Sequence, residues 1–199
     1  MDNTNTNAKP LHHWVRPRDA IATRLAHNDL AYATHGALQA MEVLAQLDLT
    51  PSVLKSMTIL DYGCGTGRVG RVLTPLFDHV YAYDPVVEVV RHGLTEAAPV
   101  TIHNHTMQHH LGNIPEVDVG FSVNVIEHLS DSDASAMIDN LKRLVRGPTV
   151  LWYAPRHNGR VLAPYLSPDQ ADADAAFIEA GRGKVVVRVV DFRGGPPAA

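Results

Sequence analysis

A single cysteine, Cys64, in 199 residues rules out an internal disulfide, fits a reducing compartment and makes the cytoplasm the expected location. A basic surplus is also missing: 17 Lys and Arg stand against 21 Asp and Glu, a formal charge of -4. That balance excludes a global positive field able to hold a nucleic acid backbone or an anionic membrane, and leaves only local basic patches for such contacts. Nowhere does an uncharged apolar run approach the roughly 18 residues needed to cross a bilayer. The start, Met1 to Asn7, lacks the basic, apolar, small-residue order of a secretory signal, and no internal repeat is visible. A soluble chain with no membrane partner is the expectation.

What is present is 45% apolar residues, enough for one sizeable core and too little chain for two comfortable domains. Residues 1–10 read as a disordered tail, 11–50 as an appended N-terminal helical segment, 51–193 as the core and 194–199 as a loose end. Within 11–50 a helical pattern runs from Asp19 to about Leu30, and a second helix is predicted from Gly36 to Leu47.

From residue 57 onward strands and helices alternate. Strands are predicted at 57–62, 80–83, 100–103, 117–123, 149–153 and 184–192. Helices are predicted at 68–77, 86–97, 132–145, with Ser130 or Asp131 as cap, and 168–180. Such alternation predicts an α/β fold, a doubly wound and mostly parallel sheet of six or seven strands with helices on both faces.

Chemistry concentrates where the first strand meets its helix. Gly63, Gly65 and Gly67 let the backbone approach a ligand closely and turn N–H groups toward it. Asp61 stands two residues earlier, facing the crevice at the carboxyl edge of the sheet. A carboxylate there would repel a dinucleotide pyrophosphate yet suits an ammonium or sulfonium charge. Asp84, 21 positions after Gly63 (84 minus 63), closes the second strand, where an acid can accept both ribose hydroxyls. An adenosyl ligand without phosphate fits this pair better than a dinucleotide, and Arg68 occupies the place where a dinucleotide fingerprint needs glycine.

Over about Thr58 to Pro155 the sequence resembles the class I S-adenosylmethionine-dependent methyltransferases. Ile59 to Gly67 looks like that family's first motif, Asp84 like its ribose-binding acid, Val119 to Leu129 like the segment closing the site after the fourth strand, and Gly147 to Pro155 like the next strand. The resemblance implies S-adenosylmethionine as cofactor, with Asp61, Gly63, Cys64, Gly65, Gly67 and Arg68 around the methionine moiety, Asp84 on the ribose and Pro85 against the adenine. Asn124 and Val125 would meet the methionine end through the backbone. The family's acidic or polar adenine contact after the third strand is replaced here by His105-Thr106-Met107-Gln108, which places that contact on Met107 or Gln108. Related enzymes often carry a lid before the core, a role open to 11–50 with Trp14, Arg16 and Arg18.

Sulfonium methyl transfer needs mainly in-line alignment, and a base helps only when the nucleophile carries a proton. His128 is the candidate base, with Glu127 beside it, although a histidine here can equally pack the next helix. Cys64 sits inside the turn as a small filler, not as a methyltransferase nucleophile. His103, His105, His109 and His110 lack the Cys or acid of a familiar metal set, so no metal is assigned. The acceptor expected is an O, N or C atom of a small molecule. The alternatives are an RNA or protein acceptor, served by Arg182, Lys184, Arg188 and Arg193, or a cofactor-binding scaffold with a degenerate site. DNA is disfavoured because the Asn/Asp-Pro-Pro-aromatic signature is absent. If the sheet is shortened, its exposed edge would have to be covered by the N-terminal segment or by another subunit, so a homo-oligomer stays open.

Overall fold

A computed structural model describes residues 29–95, 103–180 and 185–194. Trp14, Arg16, Arg18, Arg182, Lys184 and the expected end segments before 29 and after 194 lie outside the described residues. Among the described residues six strands form one sheet in the order β3-β2-β1-β4-β5-β6. They are β1 (Thr58–Tyr62), β2 (His79–Tyr83), β3 (His105–Gln108), β4 (Val119–Val123), β5 (Thr149–Tyr153) and β6 (Val186–Val190). All neighbours run parallel except β6, which is antiparallel to β5 with Leu151 opposite Arg188. This is the expected doubly wound α/β fold, at the lower of the two strand counts.

Alternation along the strands divides the core. Ile59, Val80, Phe121 and Val150 point to one face, where α1 (Asp29–Leu47), α2 (Pro51–Leu54) and α3 (Arg68–Leu73) pack. Leu60, Tyr62, Leu151 and Tyr153 point to the other, under α5 (Asp131–Leu144), a 3-10 stretch at His157–Tyr165 and α6 (Pro168–Glu179). Between them in sequence, α4 (Val87–Thr95) brings Val90 against Cys64, Ala82 and Met107. Each fully buried Ile, Leu or Phe contributes about 1.5–3 kcal/mol of transfer free energy. Gln39, Ala40 and Val43 of α1 are buried with this core, and Gly36 lets α1 approach so closely that a Cβ there would lie 2.6 Å from Arg68 Cγ.

Local signals set the helix ends. Ser130 caps α5 by accepting the Asp133 N–H at 3.2 Å, and Ser167 with Gln170 forms a complete capping box at α6, where Pro168 takes the first helical position. At the opposite end of α5, Arg193 donates to the Lys142 and Arg143 carbonyls and pairs with Glu116.

One strand departs from expectation. The β-branched run at 100–103 predicts the third strand, of which 100–102 lie outside the described residues; the described strand that pairs with β2 is His105–Gln108, with Val80 opposite His105 and Tyr83 opposite Gln108. The connection to β4 then carries only a 3-10 turn, Leu111–Asn113. His79, Tyr81 and Tyr83 are therefore left half-buried on that face of β2.

Candidate functional site

The carboxyl ends of β1, β2 and β4 border a cavity of about 400 Å³. Its wall includes Asp61, Gly63, Cys64, Gly65, Arg68, Asp84, Pro85, Asn124, Val125 and His128, so most of the residues singled out in the sequence converge on one space. Glycine is required by conformation in the turn: φ is +80° at Gly63, +55° at Gly65 and +80° at Gly67. The Gly63 and Cys64 N–H groups donate to the Tyr83 carbonyl at 2.7 and 2.9 Å, which ties the turn to the end of β2. A Cβ at Gly63 would lie 2.3 Å from Val125 Cγ2, whereas one at Gly65 would meet nothing within 4 Å. The turn is thus closed against β4 and open at Gly65.

Two acids are set into this wall by backbone donors. Asp84 accepts the Gly65 N–H at 3.0 Å and the Val86 N–H at 2.9 Å, one on each carboxylate oxygen. Burial raises its pKa, and those two donors lower it in opposition. Asp61 is 3% exposed and accepts the Gly70 N–H at 3.1 Å. Desolvation pushes its pKa up to about 7, against the opposing pull of the Gly70 N–H and the Arg68 charge. Burial, with Asp61 and Asp84 nearby, also holds the Cys64 thiol well above its ordinary range.

Past β4 the backbone turns sharply. Asn124, at φ +56°, is a non-glycine residue in the left-handed region, and its N–H donates to the Trp152 carbonyl at 2.8 Å. The 3-10 turn Ile126–His128 follows and places His128 on the cavity wall. Burial and the Arg156 charge lower the His128 pKa, so the imidazole is neutral at pH 7 and able to accept a proton. Glu127 does not border the cavity. Its carboxyl accepts its own and the Ala154 backbone N–H, burial raises its pKa to about 7, and Oε2 has no partner among the described residues.

Met107 and Gln108 also fall outside the cavity wall, because they belong to the third strand and not to the loop after it. Met107 is buried under the turn, 3.0 Å from where a Gly67 Cβ would sit, and the Gln108 carbonyl accepts the Asp84 N–H at 3.1 Å. Tyr83, Asp133, Met137 and Asn140 were not anticipated, yet with Tyr62 of the first motif they line the cavity from the α5 side. The Tyr62 and Tyr83 rings lie 5.0 Å apart, and the Asn140 amide donates to the Tyr62 hydroxyl at 3.3 Å. Strand alternation carried the signal: each tyrosine adjoins an acid, and so points to the opposite face.

The expected positive strip near the C-terminus is not formed by its two described members. Arg188 turns inward to Asp174 at 2.6 Å, and Arg193 is engaged with Glu116 and α5.

Residues 59–148 match a family model described as a methyltransferase domain. Over that span the chain is similar to methyltransferase domains. Among solved structures, the fold is similar to magnesium protoporphyrin IX methyltransferase from Synechocystis PCC 6803 with bound S-adenosylmethionine. That match has a TM-score of 0.52 at 21% identity and covers 75% of this chain and 72% of the other. The glycopeptide N-methyltransferase MtfA matches with a TM-score of 0.50 at 16% identity, over 60% of this chain and 53% of that one. A sequence relative is the 18S rRNA (guanine(1575)-N(7))-methyltransferase of Saccharomyces cerevisiae, 27% identical over 170 residues and 79% of this chain. The chain spans 60% of that relative's length. Among the described residues, no helix is long and apolar enough to cross a membrane.

Proposed function

We propose that the protein transfers a methyl group from S-adenosylmethionine to an O, N or C atom of a small-molecule acceptor. The observation that carries this reading is the single cavity in which the open Gly65 turn, the buried Asp61 and the doubly anchored Asp84 face the same space as His128. The donor set fits the cofactor: Asp84 keeps lone pairs for a ribose diol, and Asp61 faces the cavity as an acid whose ionised form a cationic methionine end would favour. When bound, the cofactor supplies a methyl group already activated by its sulfonium.

The chain's own residues bind, orient and accept a proton. Gly63, Cys64, Gly65 and Arg68 would hold the methionine moiety, with the Asn124 and Val125 backbone beside them, whereas Gly67 lies off the cavity wall and shapes the turn. Pro85, with Val86 and Val89, offers the apolar wall for the adenine. Met107 and Gln108, the expected adenine contacts, do not border this cavity. His128 takes the acceptor's proton when there is one, worth roughly 10²–10⁴ in rate for a positioned base. Glu127 acts from behind, by holding Ala154 at the end of β5.

A second reading is an RNA base as acceptor, favoured by the yeast relative whose name gives a guanine of 18S rRNA. Calorimetric titration with S-adenosylmethionine and S-adenosylhomocysteine tests the cofactor assignment. Binding is expected to weaken 10- to 100-fold in Asp84→Ala, as for loss of a charged hydrogen-bonding partner. No binding to the parent protein at millimolar ligand would sink it. Labelled methyl transfer into fractionated small-molecule, RNA and protein extracts separates the acceptors, and unchanged transfer by His128→Ala would remove His128 as base.

A further inference from the structure

We propose that β6 is a self-complementary edge through which two copies of this chain pair into one continuous sheet. The strand reads Val186-Val187-Arg188-Val189-Val190, the same in both directions. Antiparallel pairing about a two-fold axis at Arg188 therefore sets Val186 opposite the second copy's residue 190 and Val187 opposite its residue 189. Every valine meets a valine, and side chains directly opposite share a face. No other partner is specified by the sequence of the strand itself in this way.

Among the described residues, β6 has a neighbour on one side only, namely β5. Of the devices that blunt such an edge it has one inward-pointing charge, Arg188, and no proline, glycine, lysine or bulge. Val185 and Val189 are 45% and 39% exposed. Its one charge is already compensated, because Arg188 Nη2 donates to Asp174 Oδ1 at 2.6 Å on the α6 face. Each copy thus brings its own counter-ion to the axis, and two arginines meet there without an unpaired like charge.

Size sets the strength. A five-residue strand is about 17 Å long, and its edge with flanking valines lies at or below the roughly 1,200 Å² of a standard interface. An interface at this lower limit of size favours a reversible dimer over a permanent one.

Sedimentation velocity of the full chain from about 1 to about 200 μM should show a shift from monomer to dimer. Val189→Lys should raise the dissociation constant at least tenfold while the melting temperature and S-adenosylhomocysteine affinity stay within error. In a Cys64→Ser background, mild oxidation of a mixture of Val187→Cys and Val189→Cys proteins should give a cross-linked dimer, and either protein alone should not. A monomer at all concentrations overturns the proposal, including one whose β6 amides are protected from exchange because residues 1–28 of the same chain cover them. A dimer that Val189→Lys leaves intact, or cross-linking no greater in the mixture than in either variant, overturns it as well. Cofactor affinity is read separately, so failure of the pairing leaves the methyltransferase reading standing.

Discussion

The two halves of the sheet are held by different kinds of contact. At β1 and β2 the cavity is built from backbone: the Gly63 and Cys64 N–H groups on Tyr83, and the Gly65, Val86 and Gly70 N–H groups on two carboxylates. At β5 and β6 the comparable buried charge is settled by side chains alone, with Tyr153 and Arg188 both donating to Asp174. Backbone donors fix where glycine must stand and where an acid must follow, whereas a side-chain network can be met by many residue combinations. The first half therefore carries a recognisable ligand signature, and the second carries stability.

Separating those two roles by mutation is the way to break that contrast. The largest effect expected is on stability in the second half. Asp174→Ala leaves Arg188, whose side chain is 15% exposed, without its counter-ion and Tyr153 without its acceptor. A loss of about 3–5 kcal/mol in denaturant unfolding is expected, with cofactor affinity in the surviving folded protein unchanged. A parallel drop in affinity would show that the two halves are coupled.

Next is Gly63→Ala, which adds a Cβ 2.3 Å from Val125 Cγ2 at φ +80°. It should cost roughly 2 kcal/mol or more in stability and abolish S-adenosylhomocysteine binding in a calorimeter. Retained binding would mean that the turn does not touch the ligand.

A smaller effect separates the two acids by pH. Asp61 is raised to about 7 by burial, so it is mostly protonated below that pH and ionised above it. A cationic ligand favours the carboxylate, so affinity should rise with pH up to about 7, by at most tenfold per unit, and then level off. Titration in buffers of different ionisation enthalpy should register proton release near pH 7, and Asp61→Asn should remove the slope. Because the folded pKa lies above the unfolded 3.8, this acid destabilises the fold increasingly as pH rises from about 4 to 7. Asp61→Asn should accordingly lessen that loss in unfolding measured at pH 7 against pH 4. The smallest effect is expected at Ser130→Ala, where losing the α5 cap should cost about 1 kcal/mol and leave ligand affinity alone.

Legibility in the sequence followed the same divide. The glycines, Asp61 and Asp84 were readable because conformation and position dictate them. The third strand was misplaced by a β-branched run, since strand choice here is set by pairing to β2 and by packing of Met107 under Gly67. Met137 and Asn140 reach the cavity from a helix more than 50 residues after Asp84, a proximity that no local pattern encodes. The chain end also misled: Arg188 and Arg193 look like a surface strip until Asp174, Glu116 and the end of α5 are brought to them.

One small residue in the turn bears on how long such a protein survives its own ligand. Sulfonium methyl groups alkylate thiolates, and Cys64 lines the very cavity proposed to hold one. Its burial, and the two acids that disfavour a third negative charge nearby, keep it as the thiol. The same carboxylates proposed to favour the cationic donor would thus disfavour the thiolate that it could methylate.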